Sequence, residues 1–176
     1  MSGITGILTT QKQTILATTL QAMTAIIQHR GPDAEGHYIS DQIALGYRHF
    51  DVHGLTAEQA QTMLHLDRYA VTFDGRIYNL PELQAELSEK GYSFNCESDA
   101  QLLAAAYDFW GADCLNKFNG MWAFVLYDKQ EQQYFIARDR FGKKPLYYTH
   151  TADHFVFCSE VKGIYASGLV EKAPNI

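Results

Sequence analysis

The sequence predicts an α+β protein in which two antiparallel sheets lie between helical layers. Three observations carry that reading. A short apolar strand, Ile4–Leu8, is followed by an amphipathic helical stretch. Two helices with legible ends occupy the middle of the chain, and after them the text turns into aromatic-rich strands broken by short polar turns. Blocks of strands and helices in that order segregate the two kinds of element rather than alternating them.

The elements follow in order. Residues 11–30 read as a helix because Leu16, Leu20, Met23 and Ile27 recur at spacings of three and four. The loop Arg30-Gly31-Pro32-Asp33 ends it, since Pro32 cannot continue a helix. Residues 36–50 read as strands on either side of a turn at Asp41-Gln42, and 51–67 as a polar loop with a short helix over 56–64. Tyr69–Phe73 alternates as a strand and is expected to stop at Asp74-Gly75, a strong turn signal. Pro81–Lys90 opens with proline in its first turn and closes at Gly91. Asp99–Trp110 is capped by Ser98 and closed by Gly111. MWAFVLYD, QYFIARD, PLYYTH and HFVFCSE then read as one four-strand meander.

Composition narrows the function. The 176 residues are 47% hydrophobic and 19% charged with a net charge of −6, which suits a globular fold and gives no basic footprint for nucleic acid or an anionic membrane. No run of apolar residues is long enough to span a bilayer. Cys96, Cys114 and Cys158 are odd in number and widely spaced, which reads as core thiols in a reducing, cytoplasmic setting. His29, His37, His53 and His65 lack metal-ligand spacing, and no metal is expected. The aromatic stretch 121–148 reads as core, and Arg138-Asp139-Arg140 as an ion network fixing a strand end. Ser2 raises a chemical question: once Met1 is removed, its hydroxyl and its own α-amine form a nucleophile and base in one residue.

MSGITG, HRGPDAEG (29–36), FDGRIYN (73–79), ESDAQLL (97–103), NGMWAFVLYD (119–128), RDRFGKKPLYY (138–148) and SEVK (159–162) occur in one order. That series resembles the N-terminal glutaminase domain of glutamine-dependent asparagine synthetases, the class II glutamine amidotransferases, over residues 1–168. The resemblance implies a four-layer αββα sandwich, the N-terminal-nucleophile hydrolase fold. It also implies attack by residue 2 on the side-chain amide of glutamine, with ammonia passed to a C-terminal synthetase domain that uses ATP and Mg²⁺. No Ser-Gly-Gly-type pyrophosphate loop is present here. The expectation is therefore no cofactor in this domain, a synthetase partner in cis or trans, and 169–176 as the start of a linker. A homo-oligomer is compatible with the sequence.

The resemblance places the site residue by residue, and this chain departs from the family at four positions. Ser2 stands where the family has the cysteine nucleophile, and a hydroxyl attacks less readily than a thiolate. Asp74-Gly75 fills the oxyanion-hole positions; Gly75 keeps a backbone donor, whereas ionised Asp74 replaces an asparagine amide with negative charge. Arg76 stands where a glutamate receives the substrate's ammonium, and His49 where an arginine clamps its carboxylate. Neighbouring Arg48 is the alternative clamp, set against the expectation that adjacent strand residues point to opposite faces. Asp99 alone keeps the family identity among the substrate contacts. Formal charge sums to zero in both versions, so Asp74 and Arg76 are expected to pair with each other or with Asp99. Three functions stay open: a glutaminase domain weakened or silenced in hydrolysis, a non-catalytic scaffold of an amide-forming ligase, and an N-terminal serine hydrolase of another amide.

Overall fold

The computed structural model describes residues 2–9, 17–51, 63–94 and 98–171. The chain divides into two compact units, Met1–Phe50 with Pro145–Ile176, and Asp51–Lys144.

The first unit is built on a five-stranded antiparallel sheet. Its strands are β1 (Gly3–Thr9), β2 (Ala34–Ile39), β3 (Ile43–His49), β8 (Tyr147–His150) and β9 (His154–Cys158), in the order β2-β3-β1-β9-β8. β1 is central, and all seven of its residues are buried. A strand covered on both faces needs a continuous small or apolar run rather than alternation, which GITGILT supplies. Two helices, α1 (Ala17–Ile26) and α5 (Val161–Ala166), pack on one face. Leu20, Met23 and Ile27 meet Ile7, Ala44, Val156, Cys158 and Ile164 there. The helix expected from residue 11 is described from Ala17, and its last turn tightens into a 3₁₀ turn at Gln28–Arg30. Its first residues, 11–16, lie outside the described part.

The second unit carries a four-stranded antiparallel sheet in chain order: β4 (Met63–His65), β5 (Tyr69–Ile77), β6 (Gly120–Asp128) and β7 (Gln133–Arg138). α2 (Leu80–Ser88), α3 (Asp99–Trp110) and the single turn α4 (Cys114–Lys117) complete it. The odd-numbered residues Val71 and Phe73 of β5 join Phe124 and Leu126 of β6 in a core with Leu83, Leu87, Leu102 and Leu103. Burying each such side chain is worth about 1.5–3 kcal/mol. Ser98 caps α3 by accepting the Gln101 N–H at 3.3 Å, and Gly111, at φ 59°, closes it.

Three expectations are corrected. The four late strands do not form one meander: β6–β7 pair in one sheet and β8–β9 in the other. Pro145 and the turn before it divert the chain between units, a change of sheet that strand propensity does not encode. β5 does not stop at Asp74-Gly75 but runs to Ile77, pairing Gly75 with Trp122. A Cβ at Gly75 would lie 2.2 Å from the Met121 carbonyl oxygen, so the glycine serves close strand approach instead of a turn. The expected helix over 56–64 ends in residues that are strand, because Met63 and Leu64 pair with Thr72 and Val71. The rest of that call lies outside the described residues.

Candidate functional site

The first unit places Ser2 at the mouth of its central strand. Antiparallel pairing of Gly3 with Arg48 brings Ser2 level with the end of β3. The Ser2 Oγ accepts the Phe50 N–H at 3.2 Å and lies 3.5 Å from the Nδ1 of His49. The Ser2 carbonyl accepts a bond from the Arg30 Nε at 3.0 Å. Arg30 also reaches Glu160 at 3.3 Å, where His29 and Lys162 converge on the same carboxylate at 2.7 and 3.1 Å. Burial pushes the Glu160 carboxyl up, but hydrogen bonds from Lys162, His29 and Arg30 outweigh it and hold the group below its ordinary range. Arg48 is engaged elsewhere: its Nε donates to the Thr24 carbonyl at 3.2 Å and its Nη2 pairs with Glu35 at 2.5 Å. It turns toward α1, as the alternation of strand faces requires.

The second unit assembles the remaining positions along β5. Asp74 and Arg76 share a strand face, but each has a different partner. The Asp74 Oδ1 lies 2.7 Å from the Nζ of Lys144, and both side chains are buried. Arg76 Nη1 donates to the Asp99 Oδ2 at 3.1 Å, while the Asp99 Oδ1 accepts the Ile77 N–H at 2.7 Å. Asp99 reaches both because it is the first residue of α3, directly after the Ser98 cap. Burial raises the Asp99 carboxyl, and the Ile77 N–H and the Arg76 charge only partly offset that rise. The expected pairing of Arg76 with Asp99 is present; Asp74 pairs with a lysine that the sequence analysis had not singled out.

Lys144 is aimed by a compact turn. The Asp139 carboxylate collects the N–H groups of Phe141, Lys143 and Lys144 at 3.1, 3.0 and 2.9 Å. Gly142, at φ 61°, closes the turn, and Arg138 donates to its carbonyl at 2.7 Å. Burial pushes the Asp139 carboxyl up, yet the Lys144, Lys143 and Phe141 N–H bonds hold it below its usual range. The Arg138-Asp139-Arg140 stretch therefore fixes the strand end through backbone capture, not through the ion network expected from its charges.

Other readings sort similarly. Cys114 and Cys158 are buried free thiols, and burial pushes Cys114 up to about 12. Cys96 and His53 lie outside the described residues. Among the described residues no group of three or more His, Cys, Asp or Glu is placed to hold a metal. The aromatic core reading holds through Phe135, but Phe141, Tyr147 and Tyr148 are exposed. Of the contributors that sequence reasoning missed, Arg30 and Lys144 both lie in quoted motifs, HRGPDAEG and RDRFGKKPLYY; their motif membership was the available signal.

Chemically, the second unit holds the charges of Asp74, Arg76 and Asp99 in two internal pairs, Asp74–Lys144 and Arg76–Asp99. An ionised Asp74 offers no N–H to an oxyanion, and the Asp99 carboxylate is already met by Arg76 and the Ile77 N–H.

Comparison with known proteins locates this arrangement. A family model described as a glutamine amidotransferase domain matches residues 1–175. The chain is 36% identical over 145 residues, 82% of its length, to asparagine synthetase [glutamine-hydrolyzing] 1 of Bacillus subtilis. It is 35% identical to a putative asparagine synthetase [glutamine-hydrolyzing] 2 of Methanocaldococcus jannaschii, with all of the chain covered. It spans 23% and 37% of those two relatives' lengths. Among solved structures, the glutamine phosphoribosylpyrophosphate amidotransferase of B. subtilis, complexed with ADP and GMP, superposes with a TM-score of 0.74. That match covers 94% of this chain and 43% of the other at 19% identity, and it shows a shared fold.

Proposed function

The chain belongs to the glutamine amidotransferase domain family, in its asparagine synthetase branch, and on that premise we propose that hydrolysis of glutamine here is absent or strongly reduced. One observation carries the reading: the two ion pairs Asp74–Lys144 and Arg76–Asp99 occupy the groups that would meet the substrate. Loss of one oxyanion donor costs about 10²–10³ in rate. The Asp74 carboxylate, held by Lys144, has no N–H to donate in its place, and Arg76, held by Asp99, has no acceptor to offer a glutamine ammonium. Ser2 would attack through its hydroxyl with its own α-amine as base, a weaker pairing than a thiolate supplies.

The domain's role is then to accompany a synthetase part, in cis or in trans, which is where ATP and Mg²⁺ are assigned. Residues 169–176 are assigned as the start of the connection to it. The free thiols Cys114 and Cys158 support a cytoplasmic setting. The test is ammonia release from glutamine by the full-length protein, with its N-terminus defined by mass analysis. Turnover matching a cysteine enzyme of the family would refute the reading.

A further inference from the structure

The first unit contains a base for Ser2 other than its own amine. We infer that Ser2 and His49 form a serine–imidazole pair able to transfer acyl groups from small esters, independently of glutamine chemistry and of whether the α-amine of Ser2 is free.

Three contacts support it. The His49 Nδ1 stands 3.5 Å from the Ser2 Oγ, at the outer limit of hydrogen-bond reach, where catalytic contacts often stand before a substrate binds. The Phe50 N–H already donates to that oxygen at 3.2 Å, which favours the alkoxide as it forms. The Arg30 guanidinium, bonded to the Ser2 carbonyl at 3.0 Å, fixes the residue's backbone and adds positive potential beside the nucleophile. The backbone that carries the imidazole is likewise held in place. The Asp33 N–H donates to the His49 carbonyl at 3.1 Å, and Gly31 is pressed so closely that a Cβ there would fall 2.6 Å from the His49 backbone nitrogen. Ser2 and His49 are half-buried and Phe50 is exposed, leaving the pair open to a small ligand.

The step balances. The Ser2 Oγ bonds to the ester carbonyl carbon as its proton passes to Nδ1. The carbon–oxygen bond to the alcohol then breaks, and the departing alkoxide takes the proton from the imidazolium. Water repeats the sequence, Nδ1 accepting its proton, and releases the carboxylic acid and a regenerated Ser2. Esters are the class favoured over amides because an alkoxide leaves with little prior protonation, whereas an amine must be protonated first.

The experiment treats full-length protein with a fluorophosphonate, which forms an Oγ–phosphorus bond and releases fluoride, and follows p-nitrophenol release from p-nitrophenyl acetate. The label is expected on the Ser2 peptide. His49→Gln and His49→Asn should each slow labelling about 100-fold, the usual scale for a lost general base. Residues added before Ser2 should leave the rate within about threefold, since the α-amine is not the base. No label on Ser2, undiminished labelling in either folded His49 variant, or loss of labelling on N-terminal extension would each overturn the inference. If neither His49 variant folds, the extension decides alone. Glutamine turnover is a separate readout: a high rate refutes the proposed function and leaves this inference standing, and absent labelling does the reverse.

Discussion

Replacing Lys144 by methionine isolates the energetics of its buried pair with Asp74. Lys144 and Asp74 are 2.7 Å apart, with side chains 9% and 1% exposed. At an effective dielectric of 20 their attraction is about 6 kcal/mol, and desolvating each ion costs several kcal/mol in return. The pair therefore adds little net stability while intact. Lys144→Met removes the ammonium from a carboxylate that is only 1% exposed, and the expected cost is about 3–5 kcal/mol. In thermal unfolding that corresponds to a drop of about 6–20 °C for a chain of this size. Asp74→Asn should cost less, because the asparagine amide oxygen can still accept a bond from the Lys144 ammonium. The double variant Asp74→Asn/Lys144→Met should return to within about 1 kcal/mol of the parent. Urea unfolding of all four proteins closes the cycle. A Lys144→Met cost under about 1 kcal/mol, or a double variant no better than the single, would refute a buried ionic pair at this position.

Other outcomes follow from the same contacts. Ser2→Cys alone should leave ammonia release at background, whereas adding His49→Arg, Asp74→Asn and Arg76→Glu should raise it at least about 100-fold, as followed by a coupled ammonia assay. Asp139→Asn should destabilise by about 1.5–3 kcal/mol at neutral pH, because a buried carboxylate collecting three N–H groups is replaced by an amide. The folded Asp139 is held below the unfolded value of about 3.9, so its stabilisation is present above that pH and lost as pH falls through the folded value. The gap between parent and Asp139→Asn, measured by urea unfolding across pH 2–6, should therefore narrow only below about pH 4. Gly75→Ala should cost more than about 2 kcal/mol, since its methyl would overlap the Met121 carbonyl oxygen, and circular dichroism melting measures it.

The helices were legible to within a residue or two where their ends carry chemistry. Ser98 and Gly111 bracket α3 as expected, since a cap and a left-handed exit are local events written in adjacent residues. Sheet membership was not legible. β7 and β8 read alike, and which sheet each joins depends on a turn whose geometry comes from Asp139 gathering three N–H groups. Asp74-Gly75 misled for a related reason: the same dipeptide that favours a tight turn also permits a strand to pass against a neighbour with no room for a Cβ.

The site shows the same boundary between local and distant information. Its candidate positions come from short motifs, and the changes that the resemblance implies there are changes of residue type: a cation to the His49 imidazole, an amide to the Asp74 carboxylate and a carboxylate to the Arg76 guanidinium. What each charge pairs with was only half readable. Arg76 meets Asp99, 23 residues away, across the α3 cap, a placement that the motif order already suggested. Asp74 meets Lys144, 70 residues away, and no spacing rule reaches that far. A buried carboxylate must still have found a cation or a set of N–H donors, because leaving it alone would cost more than most folds can tolerate. The legible inference from Asp74 was therefore that a partner exists; the partner's identity had to come from the fold. The same holds at Ser2: its own amine is the base that its position in the chain suggests, whereas the His49 imidazole, 3.5 Å from its Oγ across a strand pair, had to come from the fold.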